Sequence, residues 1–101
     1  MAKWADYGIS AVRYNNARTH IDLLMVHVDN GDTIAIGKEW KRSDVVLEIE
    51  RKRTFVTIPK NNDEKYIRGE DVRIVVINGV KYLRTDNNNT PSDNLGSLPE
   101  F

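Results

Sequence analysis

Apolar residues along this chain fall in short alternating runs, broken by glycine, asparagine and proline. That is the pattern of a β-rich domain. GISAVRYN (8–15) reads as a first strand. HIDLLMVHVDNGDTIAIG (20–37) reads as a hairpin, because Asn30-Gly31 offers the two positive-φ positions of a type I′ turn. RSDVVLEIERKR (42–53) departs from the alternation and reads as one helix over about 43–53. Ser43 is its expected cap, with Asp44 at the positive end and Arg51, Lys52 and Arg53 at the negative end. Val45, Val46 and Ile49 give it a narrow apolar face, and adjacent β-branched residues weaken it, so it must lean on a sheet. TFVTIP (54–59) is a strand ended by Pro59, KNNDEKY (60–66) is a polar loop, and IRGEDVRIVVINGVKYLRT (67–85) is a second hairpin turning at Asn78-Gly79. The expected fold is α+β and β-dominated: a small barrel-like or strongly curved antiparallel sheet of five to six strands, with one helix. Residues 1–86 form the body, and 87–101 form a C-terminal tail packed back on it.

The turns set the strand registers. A two-residue loop at Asn30-Gly31 places Asp29 opposite Asp32, His27 opposite Ile34 and Met25 opposite Ile36. One face then carries Ile21, Leu23, Met25, Ile34 and Ile36 and reads as core. The other carries Leu24, Val26, Val28, Thr33 and Ala35 and needs a cover, either the protein's own elements or a second copy. In the second hairpin, Ile77 faces Val80, Val75 faces Tyr82, and Arg73 faces Arg84. Two arginines directly opposed are destabilising unless an anion stands between them. Guanidinium forks beside a ring also suit carboxylate or phosphate. Arg73, Tyr82 and Arg84 are therefore the candidate ligand-binding residues. The competing reading is local neutralisation by Glu70, Asp71, Asp86 or acids of the tail.

The tail poses its own question. YLRTDNNNTPSDNLGSLPEF (82–101) passes through an asparagine-rich stretch and then regains Leu95, Leu98 and Phe101. Asp86, Asp93 and Glu100 put acids where a returning tail meets the arginine face, so return is the expectation. Leu95, Leu98 and Phe101 are the candidate interaction residues, together with Trp40 in KEWKR (38–42). Trp40 is read first as a core anchor and second as a ring for stacking a base.

Composition narrows the function. Lys and Arg number 15, as do Asp and Glu, so the net charge is zero. The halves carry six cations against eight acids in residues 1–50, and nine against seven in 51–101. A non-specific nucleic-acid binder would be basic, which makes nucleic acid an unlikely partner. There is no cysteine, which excludes disulfides and cysteine-ligated zinc. The start MAKWADYG lacks the apolar run of a signal peptide, and no stretch has the length of a membrane span, so a cytoplasmic protein with no membrane partner is expected. His20 and His27 lie on opposite faces of one strand and cannot share a metal. GKEW (37–40) lacks the earlier glycine and the hydroxyl residue of a phosphate loop, and no nucleophile motif is present. No metal, cofactor or catalytic residue is expected.

NGVKYLRTD and DNLGSLPEF, with TIPK upstream and GISAVRYN at the start, resemble a bacterial family of small domains of unknown function. The resemblance spans most of the chain. It implies that Arg84, Asp86, Asp93, Asn94, Leu95, Leu98 and Phe101 belong to a family pattern with an ordered tail. It implies no activity. The expected function is a non-catalytic binding module, of bacterial or phage origin, sequestering an anionic or nucleotide-like small molecule or an acidic protein segment. The alternative is a protein-interaction or homo-oligomerisation module using the apolar sheet face or the tail. A nucleic-acid-binding small barrel comes third.

Overall fold

The computed structural model describes residues 3–17, 20–85, 92–96 and 98–101. Among them run β1 (Tyr7–Tyr14), β2 (Ile21–Val28), β3 (Lys38–Lys41), α1 (Arg42–Glu50), β4 (Phe55–Thr57), β5 (Arg73–Ile77) and β6 (Val80–Arg84). The β-dominated α+β class is the one expected, but the strands form two sheets, ordered β3-β2-β1-β4 and β5-β6. β1 is antiparallel to β2 and parallel to β4. Residues 70–72 run beside β4, where Thr57 N–H donates to the Glu70 carbonyl and Val72 N–H to the Phe55 carbonyl, each at 2.9 Å. The chain thus passes from the first sheet directly into the second. No helix among the described residues is long and apolar enough to cross a membrane.

Two interruptions of the β1–β2 ladder decide which side chains enter the core. Ile9 pairs with Val26 and Ala11 with Met25, which leaves Ser10 as an extra residue in β1. Arg13 pairs with Leu23 and Tyr14 with Ile21, which leaves Asp22 extra in β2. Each bulge shifts the two-residue side-chain period by one. Ile9 and Val12 therefore share a face, as do Ile21 and Leu24, and all four are buried with Val26. This corrects the expected core face. Leu23, Met25 and Ile34 are only partly buried, and Ile36 is 91% exposed. On the face of Leu24, Val26 and Val28, offered above as an oligomerisation surface, Leu24 and Val26 are instead covered within the chain, while Val28 stays 47% exposed. Leu24 and Val26 share one cluster with Val45 of α1, Phe55, Leu83, and Leu95 and Leu98 of the tail.

The two Asn-Gly turns behave differently for a visible reason. Asn78 and Gly79 both take positive φ, 52° and 81°, so β5 and β6 close on a two-residue turn with every expected pair in place. In the first turn Gly31 alone has positive φ, 87°. The Asp29 carboxylate accepts the Gly31 N–H at 2.8 Å, and Asn30 N–H donates to the Thr33 carbonyl at 2.9 Å. Asp29 therefore bridges Ile34 rather than Asp32, and regular pairing resumes only in β3, with Leu24 opposite Trp40. The helix is also shorter than expected. It starts directly from β3, with extended Lys41 in the cap position and no side-chain cap, so Ser43 does not fill that role. Lys52, at φ 72°, ends it, which leaves Arg51, Lys52 and Arg53 beyond the last helical turn.

The described part of the tail does return, and one buried carboxylate holds it. Asp93 Oδ2 accepts the Ile21 N–H at 2.7 Å and Arg42 Nε–H at 2.6 Å. Its Oδ1 accepts the Leu83 N–H at 2.8 Å and Arg42 Nη2–H at 3.1 Å. The starts of β2 and α1 and the middle of β6 thus converge on one side chain. Asn94 then lies along β6, its N–H on the Leu83 carbonyl at 2.8 Å, while Val12 N–H reaches the Pro99 carbonyl at 3.0 Å and Phe101 N–H the Val12 carbonyl at 3.1 Å. The tail is a short parallel partner to β6 and then to β1.

At the other end of the chain, Asp6 N–H donates to Thr54 Oγ at 2.9 Å, and Thr54 N–H donates to Asp6 Oδ2 at 2.9 Å. That N–H, with help from the Thr54 hydroxyl and against a desolvation cost, holds the Asp6 carboxyl below its ordinary value of 3.8.

Asp93→Ala leaves Arg42 without its carboxylate and is expected to cost about 3–5 kcal/mol. Leu95→Ala is expected to cost about 2–5 kcal/mol. Urea unfolding measures both, and unchanged midpoints would show that the tail is not part of the cooperative unit. Because the folded Asp6 group is the stronger acid, its contribution is present above the unfolded pKa and lost as pH falls through the folded one. Asp6→Asn should therefore flatten the acid side of the stability profile, below about pH 4, and leave its alkaline side unchanged.

Candidate functional site

The arginine pair has the expected register, with Arg73 opposite Arg84 and Val75 opposite Tyr82. Its surroundings differ from the expectation. Arg73 is exposed, but Tyr82 and Arg84 are buried, at 8% and 3% exposure. Arg84 Nη1–H donates to the Ser92 carbonyl at 2.7 Å, so its fork is turned into the tail. Tyr82 stacks on His20 with centroids 5.5 Å apart and planes 6° off parallel. An incoming anion would have to displace the tail to reach either residue. The tail's own acid takes a different partner, since Asp93 meets Arg42. Asp86 lies outside the described residues.

The candidate interaction residues are also used within the chain. Leu95 and Leu98 are buried in the main core. The Phe101 ring lies 5.0 Å from the Arg13 guanidinium, and its carbonyl accepts Arg13 Nε–H at 2.7 Å. Trp40 packs edge-on against Tyr7 and Phe55, with centroids 5.0 and 6.0 Å away, which makes it the core anchor.

His27 is buried and satisfied at both nitrogens. The Ala35 carbonyl can only accept, so Nδ1–H donates to it at 2.8 Å, and Nε2 accepts the Ser10 hydroxyl at 2.7 Å. A serine bonded to an imidazole resembles a nucleophile and its base. Here the ring is sealed: a Cβ on Gly37 would stand 2.7 Å from its Cε1. Among the described residues, no three His, Asp or Glu side chains converge to hold a metal ion.

The open feature lies where the N-terminal segment meets two loops. A cleft of about 480 Å³ is lined by Trp4, Asp29, Gly31, Asp32, Thr33, Ile34, Glu64, Lys65 and Tyr66. That volume falls within the range of small-molecule sites. One wall is fixed by Asp29. Its Oδ2 accepts the N–H groups of Trp4 at 2.8 Å and Ala5 at 3.4 Å, and its Oδ1 accepts that of Gly31, so one carboxylate joins the N-terminal segment to the loop. The other wall is the 60–66 loop, closed by a bridge between Lys60 and Tyr66. Asn61 Oδ1 accepts the N–H groups of Asp63 and Lys65 at 2.9 and 3.1 Å. These bonds hold Glu64 in the left-handed region at φ 60°, a strain on the order of 1–3 kcal/mol. Tyr66 leans on the smaller core of Ala5, Val56 and Ile58, with the Lys60 ammonium 5.2 Å from its ring centroid. Trp4 is 39% exposed.

None of these lining residues stood out in the sequence as part of a site. The one available signal was compositional: Tyr66 is a large ring at the end of the polar run 60–66.

No curated protein and no solved structure matches the chain. A family model described as "Protein of unknown function (DUF3892)" matches residues 8–99, from the start of β1 through both hairpins and into the tail. The chain belongs to the DUF3892 family of proteins of unknown function.

Proposed function

We propose that this protein is a non-catalytic binding module that takes a small organic ligand in the cleft between Trp4 and Tyr66. The observation that carries the reading is an accessible indole held at the mouth of a ligand-sized cleft by main-chain bonds to a buried aspartate. Exposing a tryptophan forgoes the burial of a large apolar surface, and fixing its backbone adds an entropic cost. A ligand stacked on the ring recovers both.

The interaction reading finds support in one exposed apolar patch. Val76 on β5, Val80 on β6 and Leu47 on α1 are 61%, 44% and 45% exposed, while Leu24, Val26, Leu95 and Leu98 are buried inside the chain. The exposed valines make this hairpin tip the surface on which self-association is expected. Sedimentation of a Val76→Lys, Val80→Lys variant tests it, with dissociation to monomers expected and an unaltered oligomer counting against it.

Native mass spectrometry on gently purified protein tests the cleft. The expected result is added mass from a small organic molecule, absent in Trp4→Ala and Tyr66→Ala proteins whose circular dichroism matches the parent. Equal retention by parent and variants would sink the cleft reading.

A further inference from the structure

Among the described residues, the outer strands of both sheets are covered or guarded, except β5. An open edge presents a row of unpaired N–H and carbonyl groups, which is a template for another strand. β4 is covered by residues 70–72. β3 is an edge, but a short one, and its Lys38, Glu39 and Lys41 are exposed charges that discourage pairing. The outward groups of β6 are used within the chain. Asp93 takes the Leu83 N–H, Asn94 donates to the Leu83 carbonyl, and Arg42 donates to that of Lys81.

These bonds fix the phase of the ladder. Lys81 and Leu83 turn their main-chain groups away from β5, so the residues opposite them, Val76 and Ile74, turn theirs away from β6. β5 has no second neighbour among the described residues. Thr85 N–H donates to the Asn94 carbonyl, so the chain is held beside β6 on both sides of residues 86–91. From Ile74 to Ile77 the edge has neither charge nor proline, and Val76 is 61% exposed on it.

We propose that two copies of this chain join β5 to β5, antiparallel about a two-fold axis at Val75, and continue the sheet as β6-β5-β5-β6. The proposal rests on the hairpin tip being a self-association surface and supplies its geometry. In this register the strand is its own complement. Ile74 of each copy lies opposite Val76 of the other and exchanges both main-chain bonds with it, which satisfies the open edge and gives Val76 an apolar neighbour. Arg73 falls opposite Ile77, so no charge meets its like. Centring on Ile74 would instead enlist Val72, whose N–H already donates to the Phe55 carbonyl, and centring on Val76 would enlist Asn78 of the turn. Where the chain leaves β4 and enters β5, a groove of about 490 Å³ opens beside Ile49, Arg53, Thr54, Arg73 and Ile74. The Val75-centred register sends the second copy's Asn78-Gly79 turn to that end of the strand, where the groove gives it room.

Sedimentation of the full chain is expected to show a dimer that dissociates on dilution. Val76→Pro removes an outward N–H without touching the β5–β6 ladder, a position where a strand tolerates proline. It is expected to weaken the dimer about tenfold. The chain has no cysteine, so single cysteines report the register. Val75 faces its own copy at a Cα separation of about 4.5 Å, within reach of a disulfide. The two Val76 residues stand roughly 7–8 Å apart and out of reach. Val75→Cys is therefore expected to cross-link about tenfold faster than Val76→Cys under mild oxidation, although Val76 is the more exposed. The cysteine comparison holds even where the proline variant misfolds. The absence of that preference, or a folded Val76→Pro protein that dimerises as the parent does, would overturn the edge pairing. Dissociation of the Val76→Lys, Val80→Lys protein would then leave association at the hairpin tip intact. A parent chain that stays monomeric at every concentration would overturn both.

Discussion

A single buried carboxylate determines whether this fold closes. Asp93 sits in a tail that has little reason of its own to be ordered, yet it accepts hydrogen bonds from β2, from β6 and twice from Arg42 at the start of α1. Desolvating a carboxylate and a guanidinium is expensive, and only near-complete satisfaction offsets it. The geometry meets that demand, with both Asp93 oxygens occupied and the Arg42 fork engaged side-on. Once Asp93 is placed, Leu95 and Leu98 fall onto the face of Leu24 and Val26, and the chain beyond pairs with β1. The apolar end of the tail is thus the lid of the core, and the parallel bridges to β6 and β1 follow from its placement.

What was legible in the sequence depended on whether local chemistry had a competitor. Asn78-Gly79 had none, so both residues took positive φ and the register followed, including the Arg73–Arg84 pair. Asn30-Gly31 had Asp29 beside it, whose carboxylate captured the Gly31 N–H and widened the turn. The helix was visible from its pattern, but Ser43 was not needed as a cap because β3 runs into α1 without a break. The core face was misread because strict alternation cannot reveal a bulge. Ser10 and Asp22 each shift the phase by one residue, and only the assembled ladder shows which residues are extra.

The site was harder to read for a related reason. The sequence shows that Arg84 needs an anionic or polar partner and that the tail carries acids, but not which acid meets which arginine. That pairing depends on how the tail crosses β6. There the Ser92 carbonyl reaches Arg84 and the next residue, Asp93, turns inward to Arg42. Trp4 and Tyr66 are brought together through the loop that Asp29 widens, so the misread turn and the missed cleft share one cause.

The two buried aspartates divide the protein's ends between closing and opening. Asp93 is matched by a cation, so its burial leaves little net charge and its end of the domain is sealed under the tail. Asp29 is matched by backbone N–H groups, which hold the N-terminal segment and the 30–34 loop in place. Pinning the loop with main chain alone gives the cleft a rigid wall that needs no ion pair to hold it.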